Sequence, residues 1–161
     1  MRALWIAAAL GTAFVWGCGS QSGSEPTGTP SAKAPPAATQ AFEWTVMDDS
    51  GKTSTAPGSL DDLGVKVYPG ATLQPEPAKL MRMDSADHAT YTVGFLTPDS
   101  PEKIMDFYKS EAKSGASSKI GETLTFIGES KQGDNLDVIA VTDKESSQTV
   151  ITLTVKKAKK S

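Results

Sequence analysis

Apolar and polar positions alternate most cleanly in the second half of the chain. Ala89, Tyr91, Val93 and Phe95 share one parity within His88–Leu96, with Thr90 and Thr92 on the other. Ile151, Leu153 and Val155 do the same within Thr149–Val155, and Leu124 and Phe126 within Thr123–Gly128. A period of two places alternate side chains on one face, so each stretch predicts a half-buried strand. Leu136–Thr142 is rich in β-branched residues and predicts another. Earlier, Phe42, Trp44 and Val46 alternate with Glu43 and Thr45, the turn signal Asp48-Asp49-Ser50-Gly51 follows, and Lys52–Thr55 predicts a short returning strand before Ala56-Pro57-Gly58 interrupts. Short strands are also predicted over Val65–Tyr68 and Ala78–Met83, with one helical turn over Asp61–Gly64.

One segment switches to the helical period. Ile104, Phe107, Tyr108 and Ala112 form a stripe that Met105 widens. Ser100 stands at the capping position, Pro101 suits the first helical residue, and Glu102 sits near the positive end of the dipole. Gly115 is read as the stop. The elements predict an α+β two-layer sandwich. Its mainly antiparallel sheet has a β-β-α-β-β-β core packed by one main helix, and a short N-terminal hairpin precedes it.

The N-terminus carries a different pattern. Arg2 is followed by an apolar run from Leu4 to Trp16 that ends in Gly17 and Cys18, the layout of an export leader. The run is shorter than the roughly 20 apolar residues of a membrane span. Val15 three positions before Cys18 and Gly17 just before it resemble the bacterial lipobox, with Trp16 where that pattern usually has a small or aliphatic residue. The resemblance implies that Cys18 is a lipidation site, its thiol joined to diacylglycerol and its new amine often acylated. Cys18 is also the single cysteine of the chain, so it has no internal disulfide partner.

Residues 19–41 are Gly, Ser, Thr, Pro, Ala and Gln with almost no large apolar side chain. Such a composition cannot offset its ordering entropy and predicts a tether, reaching about 25–30 Å on average. The predicted organisation is a signal peptide at 1–17, the anchor cysteine and linker at 18–41, one α+β domain at 42–156 and a basic tail at 157–161. The 161 residues carry 16 Lys and Arg against 19 Asp and Glu, and Lys156, Lys157, Lys159 and Lys160 crowd the end. The remaining body is acidic, which argues against nucleic acid as a partner.

Tyr68-Pro69-Gly70-Ala71, then a strand ending in Thr97-Pro98-Asp99-Ser100-Pro101-Glu102, then a helix carrying Phe107-Tyr108, resembles a group of exported bacterial domains of unknown function. The resemblance runs from about Leu63 to Ala112 and implies a small envelope lipoprotein, with no assigned chemistry. Read from the residues, Pro69-Gly70 is a turn in which proline fixes φ at the second position and glycine allows φ > 0 at the third.

Catalytic constellations are scarce. His88, beside Asp87, is the only histidine, which leaves no His-based triad or HExxH zinc site within the chain. Ser100-Pro101-Glu102-Lys103 and Ser110-Glu111-Ala112-Lys113 both fit Ser-x-x-Lys, but the partner motifs Ser-Asp-Asn and Lys-Thr-Gly are absent. The acidic pairs Asp48-Asp49 and Asp61-Asp62 lack calcium-loop spacing and lie in predicted turns. The expectation is a non-enzymatic binding or interaction domain without metal or cofactor, held to a bacterial envelope membrane, outer rather than inner, through Cys18. Its partner would be an envelope protein, peptidoglycan or a small ligand in a pocket formed by Tyr68, Tyr91 and Tyr108. The alternatives are a small hydrolase or transferase using Asp48, Asp61 or Asp99, and a structural or assembly factor of the outer membrane.

Overall fold

The computed structural model describes residues 41–74 and 79–159. The predicted leader, Cys18, residues 19–40 of the linker, Ala78 at the start of one predicted strand, and Lys160 lie outside the described residues. The strands are β1 Phe42–Asp48, β2 Thr53–Gly58, β3 Thr72–Leu73, β4 Leu80–Asp84, β5 His88–Thr97, β6 Ala112–Ile120, β7 Thr123–Ser130, β8 Asn135–Thr142 and β9 Thr149–Ala158. A 3-10 turn covers Leu60–Leu63, and one helix, α1, covers Pro101–Glu111. The strands form one sheet in the order β2-β1-β4-β5-β9-β8-β7-β6, with β3 also pairing β5. Every pairing is antiparallel except β1 with β4.

The alternation sets the buried face. Tyr91, Val93 and Phe95 of β5, Phe126 of β7, Val138 of β8, and Ile151, Leu153 and Val155 of β9 are all buried on one side. The register makes them neighbours, with Tyr91 opposite Val155, Val93 opposite Leu153 and Phe95 opposite Ile151. Ile104, Met105 and Tyr108 of α1 close over this face against β6, β7 and β8. Near β1, Trp44 and Leu63 complete the core, both fully buried.

Several expectations need correction. The segment Val65–Tyr68 is not a strand: Val65 and Val67 pack on the core, yet pair with no neighbouring strand. Alternation reports one buried face, and an irregular segment laid over a core satisfies that as well as a strand does. Ala56-Pro57-Gly58 does not interrupt β2, because β2 is a sheet edge, where a proline lacking its N–H is tolerated. The hairpin β1–β2 does not stand apart, since β1 joins the main sheet through β4. The largest departure is β6. The helix ends at Glu111 rather than at Gly115, Ala112 turns to an extended backbone (φ −82, ψ 156), and the chain runs directly into a strand. Ser100 holds the capping position but makes no side-chain cap bond. At the C-terminus β9 reaches Ala158, so Lys157 belongs to the sheet rather than to a tail, and its ammonium donates to the Asp62 carbonyl at 3.0 Å.

Candidate functional site

The segment from the 3-10 turn to β3 is locally determined. Ser59 caps the turn, with its hydroxyl accepting from Asp61 N–H at 3.2 Å and Asp62 accepting from Ser59 N–H at 3.0 Å, a reciprocal capping box. The indole N–H of buried Trp44 also donates to Asp62, at 2.9 Å, which ties the turn to the sheet. Further on, Ala71 N–H donates to Tyr68 C=O at 3.1 Å and Gly70 has φ 79, the turn that Pro69-Gly70 predicts.

This segment stands beside the C-terminal half of α1 and the β7–β8 turn. Together they enclose a cleft of about 600 Å³. Leu60, Val65 and Val67 line it from the segment, and Leu136 of β8 adds to the apolar lining. Tyr68 and Tyr108 both line the cleft, their rings bridged by Phe107 at centroid distances of 5.3 and 5.0 Å. Tyr91 does not line it. That ring packs edge-on against Trp44 at 5.4 Å, beneath the Arg82 guanidinium at 5.6 Å. The predicted three-tyrosine pocket is therefore a two-tyrosine cleft, because β5 directs Tyr91 into the core beside β1.

The two cleft tyrosines differ chemically. The Tyr68 hydroxyl donates to Asp99 at 3.0 Å, and Lys103 donates to the other oxygen of the same carboxylate at 2.8 Å. The Lys103 hydrogen bond, then that of Tyr68, holds Asp99 below the usual carboxylate range, while burial and Asp99 together raise the Tyr68 phenol. Tyr108 is fully buried, and its hydroxyl has no hydrogen-bond partner among the described residues. Burial pushes its phenol far above the ordinary range, opposed slightly by the Tyr68 backbone N–H, which lies near the oxygen but outside strict hydrogen-bond geometry. It therefore stays protonated at neutral pH, with its hydroxyl closed off from solvent.

A buried polar group without a partner forfeits about 1–3 kcal/mol. Tyr108→Phe removes that group while keeping the ring, so the ligand-free protein is expected to be unchanged or more stable by up to about 1 kcal/mol in urea unfolding. A loss of more than about 1 kcal/mol instead means that the hydroxyl is satisfied in solution.

At the cleft mouth three charged side chains meet. Lys66 Nζ lies 3.1 Å from Glu111, and Lys131 Nζ lies 3.8 Å from the same carboxylate. The Glu111 side chain is only 20% exposed, whereas the two lysines are 71% and 55% exposed. Lys131 is held in place by its turn: the hydroxyl of buried Ser130 accepts from Gln132 N–H at 3.2 Å and from Asp134 N–H at 3.1 Å. The sequence reading did not find Lys66, Glu111 or Lys131. They come from three separate elements, and no local spacing links them.

The remaining candidate residues are engaged elsewhere. Asp48 accepts from Ser50 N–H, Ser50 Oγ and Lys52 N–H within the β1–β2 turn. Of the carboxylates considered for catalysis, Asp61 lines the cleft, while Asp48 and Asp99 do not. Among the described residues no group of three or more His, Cys, Asp or Glu side chains could hold a metal ion. His88 pairs with Asp87 at the start of β5. Neither Ser-x-x-Lys pair acts as a unit: Ser110 donates to Phe107 C=O at 2.7 Å, and Lys113 and Lys103 pair with Glu129 and Asp99. No family model, curated protein or solved structure matches the chain.

Proposed function

We propose that this chain is a bacterial envelope lipoprotein, anchored through Cys18 at the outer rather than the inner membrane. It carries a non-catalytic binding domain built as a two-layer sandwich of the Tyr-Pro-Gly-Ala group, and its site is the cleft beneath Val65–Ala71. The observation that carries the binding half is a cleft of about 600 Å³ whose lining joins apolar side chains to Lys66 and Lys131. Ligand pockets of this size are mostly apolar with a few placed polar groups. Leu60, Val65, Val67 and Leu136 supply the first, and Lys66 and Lys131 the second. Asp48 is engaged in its own turn and Asp99 by Tyr68 and Lys103, away from Asp61, which favours binding over hydrolysis.

Extraction of the full chain from membranes followed by native mass spectrometry tests the cleft. A retained small molecule is expected, and Val67→Trp, which places an indole in the cleft, should remove it while thermal unfolding remains cooperative. A chain that retains nothing, or a retained mass indifferent to Val67→Trp, refutes the binding site.

The anchor is tested separately. A thioether lipid needs the thiol, and two or more acyl chains make attachment stable at about 0.8 kcal/mol per buried CH₂. Cys18→Ser is expected to move the protein to the soluble fraction or to leave an uncleaved precursor, read by fractionation and intact mass. Unchanged mass and unchanged membrane partition refute the anchor.

A further inference from the structure

The charge at the cleft mouth narrows what the cleft takes. Lys66 and Lys131 both approach one carboxylate, so the Lys66–Glu111–Lys131 group carries a net charge of +1. Each ammonium has three donors, and a single shared carboxylate cannot use them all. Asp61 also lines the cleft, but it lies on the 3-10 turn and forms no ion pair with either lysine among the described residues. The Lys131 contact, at 3.8 Å, is longer than a hydrogen bond, so that ammonium is only loosely committed to Glu111.

Glu111 follows Tyr108 by one helical turn, and such i, i+3 neighbours stand about 5–6 Å apart at Cβ. Tyr108 and the cationic cluster therefore border the same stretch of cleft. The lining as a whole is neutral, with Asp61 and Glu111 against Lys66 and Lys131, which favours a singly charged head over a dianionic phosphate. Leu60, Val65, Val67 and Leu136 suit a hydrocarbon body attached to that head. We propose that the cleft binds a small amphipathic carboxylate: the carboxylate bridges Lys66 and Lys131, and the apolar body lies against Val65, Val67 and Leu136. This assignment rests on the cleft being the binding site, and it adds the class of ligand.

Hexanoate, hexanamide and hexylamine share a chain length and differ in head group, which makes them matched probes. Each is titrated into the full chain held in phosphatidylcholine nanodiscs, and backbone amide signals are followed by NMR. Hexanoate is expected to shift Lys66, Tyr108, Glu111 and Lys131 saturably and to bind at least tenfold more tightly than the other two. The double variant Lys66→Gln, Lys131→Gln should weaken hexanoate at least tenfold, Lys66→Arg with Lys131→Arg should retain it, and Lys144→Gln, outside the cleft lining, should leave it unchanged.

Equal binding of hexanamide or hexylamine at the cleft overturns the carboxylate assignment while leaving the cleft a binding site. Indifference of hexanoate to the double Lys→Gln variant overturns the bridging lysines in the same way. No saturable shift with any probe also overturns the carboxylate assignment, and the retained-ligand measurement then judges the cleft independently.

Discussion

Trp44→Ala is expected to lower the unfolding free energy by about 3–5 kcal/mol, the range for deleting a large buried aromatic side chain. For a small domain with roughly 5–15 kcal/mol in total, that leaves a marginal fold. The side chain is fully buried on β1 and packs edge-on against Phe42 at 4.9 Å and Tyr91 at 5.4 Å. Phe42 and Tyr91 come from β1 and β5, so little can collapse into the space without disturbing the sheet. The indole also donates to Asp62, so the truncation loosens the 3-10 turn that supports the cleft wall. Trp44→Phe separates the two effects. It keeps most of the ring and loses the donor, while Asp62 still accepts from Ser59 N–H, so a smaller loss of about 1–2 kcal/mol is expected. Denaturant unfolding followed by far-ultraviolet circular dichroism makes the measurement, since Trp44 is the one tryptophan outside the predicted leader and its substitution removes the fluorescence signal. A loss below about 2 kcal/mol for Trp44→Ala would mean that Trp44 does not organise this end of the core.

Where sequence and fold agree, a local period met a matching environment. The alternation of β5, β7 and β9 survives because each strand has one face on the core and one outward, and a period of two is what such a strand needs. The Tyr68–Ala71 turn was legible because proline and glycine encode backbone angles directly. The failures share one cause, which is pairing supplied from elsewhere in the chain. Nothing in Ala112-Lys113-Ser114-Gly115-Ala116-Ser117-Ser118-Lys119-Ile120 alternates, and from Lys113 onward every residue is exposed. The segment is a strand because β7 offers it a free edge, and β propensity is largely context of that kind. The cleft is half legible: Tyr68 and Tyr108 line it, but Tyr91 packs against Trp44 beneath Arg82, because strand parity gives the buried face and not which part of the core a side chain meets. Lys66 and Lys131 were invisible, because only the fold brings them to Glu111.

Gly115 shows what the helical reading missed and gives the second large effect. A helical period makes it a stop signal, but it sits in β6 directly opposite Gly128 of β7. The Phe126 ring lies over both. A Cβ on Gly115 would come within 2.5 Å of Phe126 Cζ and 2.7 Å of the Ile127 carbonyl oxygen. On Gly128 it would press into the Ser114 carbonyl oxygen, with Phe126 Cζ at 2.8 Å. The glycine pair thus clears room for an aromatic ring that covers the exposed backbone, a device found where strands carry glycine. Overpacking costs about 1–3 kcal/mol, and a backbone atom cannot move aside by changing rotamer, so Gly128→Ala is expected near the upper end, about 3 kcal/mol. Because β6 is the outermost strand, the strain should appear first as detachment of that edge. Hydrogen exchange should show the Ser114–Ile120 amides losing protection while β5 and β9 retain theirs. Phe126→Leu distinguishes the two glycines. Shortening the ring should partly relieve Gly115→Ala, whose nearest contact is the ring, and should relieve Gly128→Ala much less, because the backbone contact remains. A double-mutant cycle reads the difference as a coupling of about 1 kcal/mol for the first pair and a smaller one for the second. Equal couplings, or a Gly128→Ala protein as stable as the parent, would mean that Phe126 does not depend on the glycine pair.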